Sequence, residues 1–115
     1  KRRMLARSAI SNYNQFMETR VHLPEMDPPS SITEVMVALR SKKLEPKHEK
    51  KNWGDWITFP GKQTVISIES MRGLASSATV EHADEDGNDI NMQILSAFGK
   101  LGWMGSDDEG EFRLD

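Results

Sequence analysis

Asp84, Glu85, Asp86, Asn88 and Asp89 crowd five oxygen-bearing side chains around Gly87. Asp84, Asp86 and Asn88 match ligand positions 1, 3 and 5 of an EF-hand calcium loop. The match stops there, because Asp89 stands where that loop needs glycine and Leu95 where it needs a bidentate Glu. Carboxylates ahead of a helix are favoured by its dipole alone, so no metal is assigned to this turn. His82 lies two residues before Asp84 and four before Asp86, a His/carboxylate set that would suit zinc or manganese. Strand alternation would aim all three to one side, but Gly87 argues that the strand stops short. His82 therefore reads as a half-exposed histidine at a strand end.

Other chemistries find less support. Serines are plentiful, yet no G-x-S-x-G elbow appears, and His22 and His48 fall in Pro- or Lys-rich stretches. Glu69, Glu81 and Asp55 could supply paired carboxylates for glycoside chemistry, as any acidic sheet could. Neither a P-loop nor a G-x-G-x-x-G is present to cradle phosphate. Catalysis is disfavoured and no cofactor is expected; a metal-dependent enzyme built on His82, Asp84 and Asp86 ranks last among the readings.

Two charged surfaces rank higher. Arg40, Lys42, Lys43, Lys47, Lys50 and Lys51 precede Trp53 and Trp56, combining cations for phosphate with rings that stack on bases. Against nucleic acid stand the net charge of −3, a pI of about 5.6, and the lack of an RNP or KH signature. The acidic groups carry the leading expectation. Asp84, Glu85, Asp86 and Asp89, with Glu81 beside them, form one patch, and Asp107, Asp108, Glu109 and Glu111 form another. Focused negative charge steers a cationic partner and raises its association rate. The chain is thus expected to be a small non-catalytic protein-binding module, a regulator or immunity-type inhibitor, whose partner has a basic surface. The alternative is a nucleic-acid-associated protein using residues 40–56. Trp53, Trp56 and Trp103 are anchors if exposed and core if not.

The elements that must position these groups follow from periodicity. Three strand signals run in succession over 56–59, 64–69 and 77–81, with Pro60-Gly61 and Gly73 between them. Ile57 and Phe59 face one way and Trp56 and Thr58 the other; Ile66 and Ile68 oppose Val65, Ser67 and Glu69; Ala78 and Val80 oppose Ser77, Thr79 and Glu81. An antiparallel sheet covered on one side reads this way. Ile90, Ile94, Leu95, Phe98 and Leu101 form a helical stripe capped by Asn88 or Asp89, and Gly102 sits where a left-handed stop belongs. Residues 111–114 alternate as a short edge strand.

Upstream, Leu5, Ala9, Tyr13, Phe16 and Met17 fall on one stripe and predict an amphipathic helix over 4–20. Prolines 24, 28 and 29 make 21–30 extended or looped. Ser31 and Glu34 form a capping box ahead of the Ile32, Val35, Met36, Leu39 stripe, a second helix ending in Arg40, Lys42 and Lys43. Residues 44–52 read as a basic connection between a helical arm (1–43) and a sheet plus helix (53–115). The expected fold is a single α+β domain over 1–115, ordered α-α-β-β-β-α-β. It is a two-layer sandwich whose N-terminal helices pack on the sheet or pair with a second copy.

A chain of 115 residues, 37% hydrophobic and 29% charged, can bury one core without staples. Residues 1–51 hold 11 Lys/Arg against 6 Asp/Glu, and residues 52–115 hold 4 against 12. Two halves of opposite sign attract within one fold or present two binding faces. No cysteine is present, which excludes disulfides and thiolate chemistry and suits a reducing cytoplasm. No apolar run approaches the roughly 20 residues of a membrane span. The start at Lys1 instead of Met reads as a terminus that was trimmed or has lost disordered residues.

Overall fold

Thr19 and Val21 are β-branched, and Met17, Thr19, Val21 and Leu23 recur every second residue, the period of a strand. The computed structural model, which describes residues 16–114, forms a strand there. Its elements are β1 (Phe16–His22), β2 (Ser30–Ser31), α1 (Ile32–Ser41), β3 (Lys47–Lys51), β4 (Gly54–Thr58), β5 (Val65–Met71), β6 (Leu74–Ala83), a 3-10 turn (Asp84–Asp86), α2 (Asn88–Lys100), β7 (Met104–Asp107) and β8 (Gly110–Arg113). The order α-α-β-β-β-α-β with two N-terminal helices is therefore overturned. Residues 16–20 of the first expected helix are strand, and its residues 4–15 lie outside the described residues. The Phe16/Met17 step of a helical stripe is overridden because these residues pair with Ala83 and His82 of β6, and β7 joins β1 on its other side from Arg20 to His22.

All the pairings are antiparallel, and the eight strands make one sheet in the order β3-β4-β5-β6-β1-β7-β8, with β2 pairing the start of β6. The expected connection over 44–52 contains β3, an edge strand of sequence KHEKK hydrogen-bonded to β4. Lysine is a poor strand former in general, but it guards sheet edges against further pairing. That is why composition pointed to a loop here.

One face of the sheet carries the core. Val21, Ile57, Ile66, Ile68, Ala78 and Val80 meet Ile32, Val35, Met36 and Leu39 of α1 and Ile90, Ile94, Ala97 and Phe98 of α2. The α1 stripe is thus consumed within the chain. Its capping box is complete: Ser31 Oγ accepts from the Glu34 amide at 3.0 Å, and Glu34 Oε1 from the Ser31 amide at 2.8 Å. At the end of α2, Gly102 (φ +88°) turns the chain, and the Trp103 amide reaches back to the Phe98 carbonyl at 3.1 Å. Trp103 is buried with its ring 4.8 Å from that of Phe98, and its Nε1 donates to Ser30 Oγ at 3.0 Å. Among the described residues no helix is long and apolar enough to cross a membrane.

Candidate functional site

The register on the two sides of β1 fixes where the acidic turns lie. Phe16 is opposite Ala83 on one side, and Arg20 is opposite Ser106 on the other. β6 therefore runs out into Asp84–Asp86, and β7 into its turn with β8, at the same end of the sheet. Only β1 lies between β6 and β7, so two strand spacings of about 5 Å separate them. α2 carries the chain to the far end of the sheet, and β7 brings it back.

Within that end the side chains divide. Asp84, Glu85, Asp89 and Glu109 are exposed. Glu18 and Glu81 add to them, as direct cross-strand partners on β1 and β6. Asp86 is committed inward: its Oδ2 accepts from the Gln63 amide at 2.9 Å, the Thr64 amide at 2.7 Å and Thr64 Oγ1 at 2.6 Å. Thr64 Oγ1 in turn accepts from the Ala83 amide at 3.1 Å, so Asp86 staples the β4–β5 turn to the end of β6. Asp107 Oδ1 accepts from the Glu109 amide at 2.8 Å, and Asp108 is likewise engaged within the fold. Glu111 Oε2 pairs with His22 Nε2 at 2.8 Å. Removing the staple by Asp86→Ala is expected to cost about 2–3 kcal/mol, the scale of hydrogen bonds to a charged acceptor, read as a lower urea midpoint.

The His82, Asp84, Asp86 grouping does not assemble. His82 is buried, not half-exposed, and its Nε2 lies 2.7 Å from the Gly87 carbonyl. A carbonyl only accepts, so Nε2 carries a proton, and Nδ1 is buried without a partner among the described residues. With Asp84 exposed and Asp86 on Thr64, the described residues contain no cluster of three His, Asp or Glu able to hold a metal.

A second polar centre escaped the sequence reading. Asp55 on β4 is 1% exposed and bonds His48 Nε2 of β3 through Oδ1 at 2.5 Å, while Ser70 Oγ of β5 donates to its Oδ2. Three residue types of a hydrolase triad meet here, but in the wrong order. The imidazole is not placed between serine and carboxylate: Ser70 donates directly to Asp55, and His48 lies on the carboxylate's other oxygen. The group is a clamp across three strands. Alternation was the available signal, since Asp55 shares a face with Ile57 and Phe59. The same alternation sets Glu69 and Glu81 on the opposite face from Asp55, so Asp55 pairs with neither.

Both inward-bonded acids titrate low. Burial raises the Asp55 pKa, but hydrogen bonds from Ser70 and His48 and the charges of His48 and Lys50 outweigh it, leaving it below the ordinary 3.8. Burial likewise raises Asp86, and the bonds from Thr64 and Gln63 with the charge of Lys62 bring it below that value. A carboxylate with a depressed folded pKa stabilises the protein above the unfolded value and stops doing so as pH falls through the folded one. Stability contributed by these two acids is expected to hold from neutrality to about pH 5 and to drop below about pH 4. Urea midpoints across this range should show a shallower acid limb in the Asp55→Asn/Asp86→Asn double variant.

The face of the sheet away from the helices is polar and, among the described residues, uncovered. Reading across strands by register, one row holds Glu69, Ser77, His22, Met104 and Arg113, and the next holds Glu49, Trp56, Ser67, Thr79, Arg20, Ser106 and Glu111. A groove of about 260 Å³ runs over Arg20, His22, Glu69, Ser77, Thr79 and Ser106. Ser77 Oγ donates to Glu69 at 3.0 Å. At the β3–β4 side Lys51 Nζ stands 5.0 Å from the Trp56 ring centre, and the Trp53 and Trp56 rings are 6.3 Å apart.

No protein-family model, curated protein sequence or solved structure matches this chain.

Proposed function

We propose that this chain is a non-catalytic protein-binding module, a small regulator or immunity-type inhibitor, that docks a basic partner against the acidic end of its sheet. The observation that carries the reading is the register of β1, which brings the turn after β6 and the β7–β8 turn to one end of the sheet, on strands only two spacings apart. Glu18 opposite Glu81 strengthens it, because like charges directly across a ladder cost stability and a cationic partner would relieve that cost. Such a surface acts through steric and electrostatic occlusion, with fast association that weakens as salt rises. A cysteine-free chain suits a reducing compartment such as the cytoplasm.

The test uses four exposed carboxylates that hold nothing inside the fold. Affinity capture from a lysate of the source cells compares the wild type with Asp84→Asn/Glu85→Gln/Asp89→Asn/Glu109→Gln. The wild type should retain a basic protein at about 0.15 M salt and the variant, still folded by circular dichroism, should release it. Equal retention by both proteins removes the reading.

The nucleic-acid alternative keeps one supporting observation, the Lys51, Trp53 and Trp56 cluster at the β3–β4 side of the open face. Trp53 is 45% exposed, as a base-stacking ring must be. Lys51 already stands over Trp56, leaving Trp53 as the one freer ring of the pair. Salt-sensitive retardation of single-stranded DNA or RNA that is lost in Trp53→Ala would favour this alternative.

A further inference from the structure

We propose that the groove on the uncovered face receives a single carboxylate side chain of the same basic partner, held by Arg20 between Thr79 and Ser106. This rests on the reading of the acidic end as the docking surface and adds a recognition element beside it. Arg20 is the cation at the centre of the groove, exposed, and forms no ion pair with another described residue. By register its immediate cross-strand neighbours are Thr79 on β6 and Ser106 on β7. Their hydroxyls can donate to an oxygen lying over the guanidinium. The other polar groups are taken: Ser77 donates to Glu69, and His22 pairs with Glu111. A planar guanidinium binds a carboxylate through two parallel bonds, and flanking hydroxyls complete such a site.

Size and charge choose the occupant. A volume of about 260 Å³ falls just short of the range for small-molecule sites and suits one side chain. Around Arg20 stand Glu18 two residues back on its own strand, Glu81 opposite Glu18, Glu69 in the neighbouring row and Glu111 beyond Ser106, while Arg113, opposite Met104 in the neighbouring row, is engaged with another group. These four acids repel a free multivalent anion and a polyphosphate strand alike. A carboxylate carried among lysines satisfies both signs at once: its own charge meets Arg20, and the lysines beside it meet the surrounding acids.

Two capped pentapeptides test this on the full chain, Lys-Lys-Glu-Lys-Lys and Lys-Lys-Gln-Lys-Lys, titrated at low salt into the wild type, Arg20→Gln and Arg20→Lys. Against an acidic surface alone, the peptide of higher positive charge must bind better, so the Gln peptide would win. Capture of the carboxylate by Arg20 reverses the order. The wild type is expected to bind the Glu peptide about 10-fold more tightly than the Gln peptide, as one charge-assisted bidentate contact supplies. Arg20→Gln should restore the preference for the Gln peptide, and Arg20→Lys should keep part of the reversal. The Arg20 side-chain N–H resonance should shift and saturate with the Glu peptide only. Should the wild type bind both peptides equally or prefer Gln, the groove proposal is overturned while the acidic docking surface stands. Should neither peptide bind, both fall. A reversal that persists in Arg20→Gln overturns the role of Arg20.

Discussion

Gly54→Ala is expected to destabilise the protein by about 3 kcal/mol or more, through positive-φ strain and overpacking together. Gly54 has φ +153°, and a Cβ built on it would lie 2.1 Å from the Ile68 carbonyl oxygen and 3.1 Å from the Ser70 amide. Both obstacles are backbone, so no rotamer change relieves the clash. The close approach has a use. It brings β4 against the irregular register of β5 at Glu69 and Ser70, where the Ser70 hydroxyl meets Asp55. Forcing the strands apart should therefore break the His48–Asp55–Ser70 clamp as well, leaving a buried carboxylate short of partners. The measurement is the urea midpoint. Gly61→Ala serves as a control, since nothing lies within 4 Å of a Cβ there and only its own φ of +75° is strained. A Gly54→Ala variant no less stable than Gly61→Ala would contradict the packing account.

Trp103→Ala should be comparably costly, about 3–5 kcal/mol, the range for removing a buried Phe or Trp side chain. Trp103 is 2% exposed and touches three parts of the fold. It ends α2, stacks at a tilt on Phe98, and donates to Ser30 beside the start of α1. Truncation opens a cavity beneath α2 and leaves the buried Ser30 hydroxyl without its donor. Trp103→Phe keeps most of the volume and loses only the N–H, so it should cost much less, on the order of 1–2 kcal/mol. Midpoints for the two variants separate packing from hydrogen bonding. Equal losses would mean that the bond to Ser30 outweighs the cavity.

Legibility in the sequence followed the reach of each signal. The capping box at Ser31 and Glu34, the α1 stripe and the Gly102 stop are written within a few residues, and the structure reproduces each of them. The alternation in 56–59, 64–69 and 77–81 belongs to β4, β5 and β6, and it assigned Ile57, Ile66, Ile68 and Val80 to one face. The start of α2 was less legible: neither Asn88 nor Asp89 caps it, since Gly87 holds the N-cap position without a side-chain bond. Trp103 is core, whereas Trp53 is exposed, and no local pattern separates them. Nor does the acid content of 84–89 show that Asp86 is consumed by Thr64 while Asp84 is free to face outward.

By itself the sequence determined the helix that a Ser–Glu box begins, the helix that Gly102 ends, and the inward faces of three central strands, because neighbours within four residues create those patterns. Tertiary structure decided that residues 16–22 are strand, that a lysine-rich stretch is an edge, and that two acidic turns share one end with Arg20 in the open face between β6 and β7. These depend on backbone partners far along the chain: β1 must find β6 and β7 before its N–H and C=O groups are satisfied, and that pairing overrides any local preference for helix.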